Sequence, residues 1–385
     1  MRARASWLEI GALPASVCAL LAVACAPGPG RAVPAEWPAA DPAAQGLDRD
    51  RLAALAGRME RGDYGAVTSF LVVRRGVLVL ERYFRGAGPD SLQALESVTK
   101  SVTSSLVGLA VDSGLIRGPG APLAAFLTQY DDLFAADPRK RSITIEHLLT
   151  MTSGLAWDES RPPLPDAGEQ ADWLRIVLRQ PLVEVPGARF RYSSGNALLL
   201  SGVLERLYGM AALQVAVRGL FGPLGITSYR WLPLPRGLTP GGSALELRPR
   251  DLAKIGQLFL DRGMFRGRRV LSEEWVRLST AAHSDLSDGS RYGYMWRVVP
   301  PVLAPPAAQP QTPAAARAPG SPAGAPAESP LAGAFFAAGF GDQYLFVLPG
   351  LDMVVVVTAV NWESHAVHPL EFLTSEILPT ALGSR

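Results

Sequence analysis

The segment Ser97-Val98-Thr99-Lys100 places a hydroxyl and an amine three positions apart. On a helix, side chains at that spacing lie on one face, so the Ser97 hydroxyl and the Lys100 amine can meet. A serine hydroxyl is a weak nucleophile until a neighbouring group takes its proton. A buried amine can act as that base, because desolvation disfavours its ammonium form. The segment therefore predicts a serine nucleophile activated by a lysine.

The residues that follow favour a buried helix beginning at the serine. No further charge occurs before Asp112, and an apolar face is formed by Val98, Val102, Leu106 and Leu109. At the start of such a helix the Ser97 backbone N–H is free to stabilise an oxyanion. The motif alone is weak evidence, because a Ser-x-x-Lys spacing arises by chance in about one chain in five of this lysine content. It needs partners elsewhere in the chain.

Two later segments supply candidate partners. Tyr192 lies between Pro186-Gly187 and a predicted helix start, where a loop can present a phenol to a cleft. A half-buried structural aromatic is the alternative interpretation of Tyr192. The segment Gly339-Phe340-Gly341-Asp342-Gln343 opens a predicted strand, and its glycines allow the backbone to approach a ligand closely.

The elements that must position these residues are strands at both ends of the chain and helices between them. A helix is predicted over 47–61, and strands over 66–74 and 77–85 are joined at the hairpin signal Arg75-Gly76. Further helices are predicted over 97–113, 145–152, 196–208, 249–261 and 272–281 and after Pro369, with strands over 292–299, 335–340, 343–348 and 353–360. The pattern predicts an α/β (α+β) fold: one antiparallel sheet flanked by helices, with an all-helical lobe inserted at about 101–250. We expect the functional cleft between the two lobes.

Three ordered blocks beyond Ser-x-x-Lys resemble the serine β-lactamase and penicillin-binding superfamily. They are ITIEHLLTMTSGLAW (143–157), VPGARFRYSSGNALLLSGVLE (185–205) and AAGFGDQYLFVLPGLDMVVVV (337–357). Their likeness is to the class C-like branch of esterases, D-aminopeptidases and the 6-aminohexanoate-dimer hydrolase. The resemblance covers about 47–381 and implies the β-lactamase/transpeptidase-like fold with a cleft between its lobes.

The resemblance also implies roles for single residues. Ser97 matches the serine that is acylated, Lys100 the helix lysine, and Tyr192 the tyrosine of a Tyr-x-Asn motif that relays protons. Gln343 falls where the family supplies a second oxyanion N–H beside that of Ser97. The reaction implied is acyl transfer through an acyl-enzyme on Ser97, completed by water activated near Tyr192.

Two departures from the family pattern bear on the substrate. Ser194 stands where the family has the Asn of Tyr-x-Asn, and Phe340-Gly341-Asp342 stands in place of the Lys-Thr-Gly of lactamases. No lysine occurs after Lys254, so the cation that holds a lactam's carboxylate is missing. We therefore expect Ser194, Phe340 and Gly341 to contact a substrate other than a penicillin.

Two tryptophans and two carboxylates are candidates for the walls of the cleft. Trp157 and Trp296 are candidate apolar walls, and ordinary core tryptophans are the equal alternative. Asp158 and Glu159 beside Trp157 could instead attract an amine, as an aminohexanoate-type or D-aminoacyl substrate would require.

The predicted function is hydrolysis of a small carboxylic ester or amide by a serine hydrolase. Alternatives are a penicillin-recognising binding or sensor protein without turnover, and a weak β-lactamase. No cofactor is implied. His365, His368 and Glu371 could be drawn as a metal cluster, but their spacing next to Pro369 is weak and we predict no metal. A net charge of +2 without a basic stripe argues against nucleic acid as a partner.

The N-terminus has the pattern of an export signal. Arg2 and Arg4 precede an apolar run, and Ala24-Cys25-Ala26 offers a cleavage site, so we predict a signal peptide over 1–26 and a linker over 27–46 before a hydrolase domain over 47–385. The protein would then be periplasmic or secreted. An alternative interpretation makes Cys25 the lipid-modified residue of a membrane-anchored lipoprotein.

The stretch 300–330 consists mostly of Pro and Ala. Such a composition supplies no packed face and few ladder donors. We predict a disordered insert that connects two adjacent strands.

Overall fold

A large antiparallel sheet forms the centre of the fold and joins both ends of the chain. The structure is a computed structural model that describes residues 37–160, 171–300, 329–363 and 366–381. Its strands are β1 (Val67–Arg74), β2 (Val77–Tyr83), β3 (Gln93–Ala94), β4 (Tyr229–Trp231), β5 (Leu245–Leu247), β6 (Met264–Phe265), β7 (Arg268–Arg269), β8 (Ser284–Asp285), β9 (Arg291–Tyr292), β10 (Arg297–Val298), β11 (Phe335–Gly339), β12 (Gln343–Leu348) and β13 (Met353–Ala359). Eight of them make the main sheet in the order β2-β1-β13-β12-β11-β10-β9-β8.

The pairing of β1 with β13 joins the N-terminal and C-terminal strands into one sheet. The predicted hairpin at Arg75-Gly76 is confirmed, as is the predicted antiparallel sheet drawn from both ends. The single strand predicted over 292–299 is wrong: the chain bends between β9 and β10, and the two short pieces pair with each other. Bending there turns β10 back alongside β11.

Strand β13 shows why the centre of the sheet is apolar without alternation. Val354 and Val356 face a core shared with the helices of the middle of the chain, whereas Met353, Val355 and Val357 face a second core beneath the N- and C-terminal helices. All of β13 is buried. A strand covered on both faces needs apolar residues at every position, and this accounts for the run MVVVV.

The helices cover both faces of the sheet and fill the middle of the chain. They are α1 (Arg49–Arg61), α2 (Thr99–Asp112), α3 (Asp131–Ala136), α4 (Ile145–Leu149), α5 (Trp173–Arg179), α6 (Ser194–Tyr208), α7 (Ala212–Ala216), α8 (Gly222–Leu224), α9 (Pro249–Leu260), α10 (Glu273–Ser279), α11 (Pro369–Phe372) and α12 (Leu378–Ala381). The longer predicted helices are confirmed to within a few residues. Short helices such as α3 and α5, and the small sheet β3-β5-β4, were not predicted. Among the described helices, none is by itself long and apolar enough to span a membrane; α6 together with Ala212–Leu224, bent by 72°, passes on length and composition only.

Helix α2 begins within the Ser-x-x-Lys segment and runs through the interior. Small residues let neighbouring elements pack closely around it. A Cβ on Gly108 would lie 2.4 Å from the Trp275 ring, so the glycine lets α10 approach closely. Gly256 does the same where α9 crosses the sheet, since a Cβ there would lie 2.5 Å from Val354. These close approaches bring α10 against α2 and α9 against the sheet, and larger residues at either glycine would overpack the core.

Several sequence predictions lie outside the described residues. These are the signal peptide over 1–26, with Cys25, and residues 301–328 of the Pro/Ala insert. Part of the predicted linker is described and is attached to the body: Ala39 forms a bridge with Leu78, and Ala43–Gln45 forms a 3-10 turn.

Deleting residues 303–328 and closing the chain with a short Gly-containing turn should preserve the fold. The ends of the insert are already adjacent, because the Val299 N–H donates to the Ala334 carbonyl at 2.8 Å. Loop-closure entropy changes slowly with length, so shortening this connection should move the melting temperature by only a few degrees. Circular dichroism and thermal melting measure both, with a Gly/Ser replacement of equal length as the control. Loss of folding in the deletion alone would contradict the prediction.

Candidate active site

Ser97 and Lys100 meet at the start of α2. Ser97 lies in the 3-10 turn Glu96–Val98, which continues directly into α2 and its Lys100. Lys100 Nζ donates to Ser97 Oγ at 2.9 Å. The Lys100 side chain is 1% exposed, so the amine contacts the hydroxyl in a nearly dry environment. This is the contact that their spacing predicts.

The loop Gly241-Gly242 provides the second hydrogen-bond acceptor of the Lys100 amine. Lys100 Nζ also donates to the Gly242 carbonyl at 2.9 Å, and Thr103 Oγ1 donates to the Gly241 carbonyl at 2.7 Å. A Cβ on Gly241 would lie 2.4 Å from Ser201 Oγ, so only glycine fits between α2 and α6. This loop was not predicted from the sequence. Its signal is Gly241-Gly242 directly after Pro240.

Tyr192 lies against the same amine. Lys100 Nζ is 4.8 Å from the centroid of the Tyr192 ring. The ring stands immediately before α6, whose first turn is capped by Ser193 Oγ accepting from the Asn196 N–H. The ring of Tyr292 packs edge-on against the ring of Tyr192, with 6.4 Å between the ring centroids. Burial raises the pKa of Tyr292 well above its usual value, and the neighbouring Tyr192 adds to the effect, so Tyr292 is a neutral support.

Ser194 is held by a carboxylate from the loop after Trp157. Its hydroxyl donates to Glu159 Oε2 at 2.8 Å, and its N–H donates to Glu159 Oε1. Glu159 therefore lies at the N-terminus of α6, where a negative charge is stabilised. Asp158 Oδ1 accepts from the Ser160 N–H at 2.9 Å and from Ser160 Oγ at 2.6 Å. Ser194 is near the Lys100 amine, since a Cβ on Gly242 would lie 3.3 Å from Ser194 Cβ and 3.5 Å from Lys100 Nζ. It is not among the residues that line the cleft, so its position does not support the predicted substrate contact.

The end of β11 passes directly beside the nucleophile. A Cβ on Gly339 would lie 2.3 Å from the Leu95 carbonyl oxygen and 3.1 Å from the Ser97 nitrogen. Only glycine permits this approach. Ala338, Gly339 and Phe340 consequently form the wall of the cleft next to the Ser97 N–H.

Gln343 is not among the residues that line the cleft, so its position does not support the predicted oxyanion role of its backbone N–H. It is 1% exposed and belongs to β12, a strand flanked by β11 and β13. Its side-chain amide donates to the Gly341 carbonyl at 3.0 Å and accepts from the Ala359 N–H at 3.2 Å. Gln343 therefore fastens the β11–β12 turn to β13, and the backbone beside Ser97 is that of β11.

Phe340 and Gly341 have different positions in that turn. Phe340 is 51% exposed, lines the cleft and has its ring 5.9 Å from that of Trp362. Gly341 is buried beneath Trp362, since a Cβ there would lie 2.3 Å from the Trp362 ring. The predicted substrate contact of Gly341 is therefore not supported by its position.

The two tryptophans proposed as walls belong to the core. Trp296 is fully buried between Phe259, at 4.5 Å between ring centroids, and Phe335, at 5.3 Å. Trp157 is buried against the first turn of α6, where a Cβ on Gly195 would lie 2.7 Å from its ring. The alternative interpretation of both as core residues is correct, because an apolar ring gains more by packing than by facing a wet cleft.

Asp342 joins the wall of β11 to the C-terminal part of the chain. It is fully buried and accepts from Asn361 Nδ2 and from the Ala366 N–H, both at 2.8 Å, and from the Val367 N–H at 3.2 Å. Val367 is a lining residue of the cleft. Asp342 therefore positions two parts of the same wall, a role that its place in the sequence did not reveal.

The cleft around Ser97 has a volume of about 410 Å³. It is lined by Ser97, Tyr192, Asp288, Arg297, Ala338, Gly339, Phe340, Tyr344, Val367, His368 and Pro369. The ion pair of Arg297 with Asp288 was not predicted. Burial acts to raise the pKa of the Asp288 carboxyl, but the Ser290 hydrogen bond and the Arg297 charge outweigh it and hold that pKa below its usual value.

Metal-binding geometry is not found in the described part of the chain. No group of three His, Cys, Asp or Glu residues there could hold a metal ion. His368 caps the start of α11 by accepting from the Glu371 N–H at 3.5 Å. His365 lies outside the described residues.

The chain belongs to the beta-lactamase family, whose model matches residues 53–371. This confirms the resemblance drawn from the sequence blocks. One relative is the 6-aminohexanoate-dimer hydrolase of Paenarthrobacter ureafaciens, 27% identical over 277 residues, or 65% of this chain and 66% of that protein. Another is the lovastatin esterase of Penicillium rubens, 30% identical over 193 residues, or 45% and 48%. The chain thus spans less than two thirds of the length of either relative.

The fold is shared with solved members of the same group. The octameric penicillin-binding protein homologue from Pyrococcus abyssi has a TM-score of 0.65 at 17% identity, covering 88% of this chain and 78% of that one. The likeness confirms the predicted fold class, a mixed α/β architecture with an antiparallel sheet.

Proposed function

We propose that this protein is a serine hydrolase that cleaves carboxylic esters or amides through an acyl-enzyme on Ser97. The observation that carries the proposal is the 2.9 Å hydrogen bond from a buried Lys100 amine to the Ser97 hydroxyl, in a cleft shared with Tyr192. Both hydrogen-bond partners of that amine are uncharged oxygens. A base in this position can take the hydroxyl proton as the nucleophile attacks.

The mechanism follows from these positions. Ser97 Oγ attacks the carbonyl carbon, and its proton passes to the Lys100 and Tyr192 pair. The Ser97 N–H and the backbone of β11 beside it face the developing oxyanion, which fixed N–H donors stabilise. Tyr192 returns the proton to the departing alcohol or amine. Water then attacks the acyl-enzyme, gives one proton to the same pair, and releases the acid as Ser97 regains its hydrogen.

The composition of the cleft favours esters and unstrained amides over penicillins. Phe340 lines the wall where, by family resemblance, β-lactamases carry a cation. The two relatives compared above are named a 6-aminohexanoate-dimer hydrolase and a lovastatin esterase. For a substrate with a free amine, the carboxylates of Asp158 and of Glu159, which accepts two bonds from Ser194, are the candidate partners.

Ser97→Ala should abolish covalent labelling by a fluorophosphonate probe and hydrolysis of a butyrate ester, because it removes the only nucleophile proposed. Intact-protein mass spectrometry and initial rates measure the two effects, and Ser113→Ala, at the exposed end of α2, is the matched control. An adduct on another serine would refute the assignment. Labelling of Ser97 without turnover of any ester would instead support the binding-protein alternative.

Lys100→Met and Lys100→Arg should both lose nearly all activity, since neither side chain can accept the Ser97 proton. Tyr192→Phe should lower kcat by about 10²-fold or more, the scale of a general acid–base group. Tyr294→Phe is the control, because Tyr294 bonds to Glu146 away from the cleft. Thermal melting verifies that each variant folds. Full activity of Tyr192→Phe on a slow amide would exclude Tyr192 from the relay.

Initial rates should rank a p-nitrophenyl butyrate above a D-aminoacyl amide, with nitrocefin slowest. The reason is the apolar Phe340 wall and the intrinsically greater reactivity of the ester. Faster hydrolysis of nitrocefin than of the ester would overturn the argument from Phe340. Loss of amide hydrolysis in Glu159→Gln or Asp158→Asn, with ester hydrolysis kept, would identify an amidase.

A further inference from the structure

A small inner hollow adjoins Ser97. Its volume is about 10 Å³, close to what one buried water molecule needs. The residues that line it include Ser97, Ser101, Tyr192, Tyr292, Arg297 and Ala337. Ser101, Tyr292 and Ala337 are buried, so the hollow is enclosed largely by the interior of the protein. It has room for one very small molecule next to the nucleophile.

The lining of the inner hollow is polar on more than one side. Ser101 Oγ donates its proton to the Met295 carbonyl at 2.6 Å, so its lone pairs can accept a further bond. Arg297 Nη1 donates to Asp288 and, at 3.3 Å, to Ser290 Oγ, whereas its Nε and Nη2 have no hydrogen-bond partner among the described residues. A buried water is stable where two to four polar groups surround it, and this lining supplies such groups.

Tyr292 brings a second phenol to the inner hollow beside that of Tyr192. Its ring packs against the ring of Phe190, with 5.0 Å between centroids, and against the ring of Tyr192. Strand pairing places Tyr292 opposite Arg297. Within the described part of the chain the Tyr292 hydroxyl has no hydrogen-bond partner, although the side chain is 3% exposed. A hydroxyl on so buried a side chain gains free energy by binding water.

We propose that the inner hollow binds the water that hydrolyses the acyl-enzyme, and that Tyr292 is the residue that positions this water. The proposal rests on the proposed function, because it requires an acyl group on Ser97. The water oxygen attacks the acyl carbon, and one of its protons passes to the Lys100 and Tyr192 pair. The bond from the acyl carbon to Ser97 Oγ then breaks, and Ser97 Oγ takes back a proton from the pair as the acid leaves. Tyr292 exchanges no proton in this step and acts by holding the water.

The size of the inner hollow makes it selective for water over other nucleophiles. Methanol has one more heavy atom than water, and a hollow of about 10 Å³ does not admit it. Methanol must therefore reach the acyl-enzyme from the cleft, whose volume is about 410 Å³. Because the two nucleophiles approach from different places, their competition for the acyl group reports on the hollow.

The test measures how the acyl-enzyme formed from p-nitrophenyl butyrate partitions between water and a fixed concentration of methanol. Gas chromatography quantifies butyrate and methyl butyrate. Tyr292→Phe should lower the ratio of butyrate to methyl butyrate by about 10-fold, the scale of one lost hydrogen bond. The first-turnover release of p-nitrophenol should stay within about 2-fold of wild type, because Tyr292 takes no part in acylation.

A second variant tests the inner hollow without touching Tyr292. Ala337→Ser adds one hydroxyl to a buried side chain of β11 that lines the hollow, so it should take the place of the water and lower the same ratio. The matched control is Tyr294→Phe, since the Tyr294 hydroxyl donates to Glu146 and lines neither the hollow nor the cleft. It should leave the ratio within about 2-fold. Thermal melting verifies that each variant folds.

The outcomes separate this proposal from the proposed function. An unchanged product ratio in Tyr292→Phe would refute the positioning role while leaving the hydrolase function intact. A ratio lowered by Tyr292→Phe but not by Ala337→Ser would place the hydrolytic water outside the inner hollow and refute the site. A wild type that forms no acyl-enzyme would refute the proposed function, and the role of the hollow with it.

Discussion

The amine of Lys100 must be kept close to Ser97 Oγ inside a nearly dry interior, and the surrounding structure depends on this contact. An amine buried without acceptors would be costly, since an unmade hydrogen bond carries its full desolvation penalty. The Gly242 carbonyl and Ser97 Oγ satisfy it, and the Tyr192 ring covers it. Each of these partners comes from a different part of the chain, so the nucleophile's activation requires these three parts to be packed together.

The packing requirement explains the distribution of glycines and small residues. Gly241 lies where α2 and α6 converge, and Gly339 lies where β11 passes the Ser97 nitrogen. Gly241 is followed by Gly242, whose carbonyl accepts from Lys100 Nζ, and Gly339 brings the backbone of β11 against the Ser97 nitrogen. On the far side of the cleft, the buried carboxylate of Asp342 holds the main chain by accepting from the N–H groups of Ala366 and Val367. Buried polar groups therefore hold the main chain on two sides of the cleft.

Sequence reasoning succeeded where a signal was local. The 3-residue spacing of Ser97 and Lys100, the hairpin at Arg75-Gly76 and the unbroken apolar run of β13 each follow from periodicity or turn chemistry. It failed where the outcome depended on tertiary partners. Trp157 and Trp296 have the same composition signal whether they line a cleft or a core, and only packing decides.

The remaining errors have a similar physical cause. The oxyanion role of the Gln343 N–H was assigned by family resemblance, but Gln343 lies in β12, between β11 and β13, and it is β11 that lines the cleft. Arg297 and Asp288 escaped notice because nine residues separate them and their pairing needs the bend between β9 and β10. Non-local contacts of this kind have no period in the sequence.

The long connection between β10 and β11 bears on how specificity can diverge in this protein. Arg297 precedes the connection and the wall beside Ser97 follows it, yet their relative position is fixed by the ladder pairs Arg297 with Phe336 and Val298 with Phe335. Insertions and deletions in the connection thus leave the register of the two strands untouched, because loop length has a small effect on closure. Evolution can lengthen, shorten or replace this segment independently of the nucleophile, whereas a single-residue slip within either strand would reverse which side chains face the cleft.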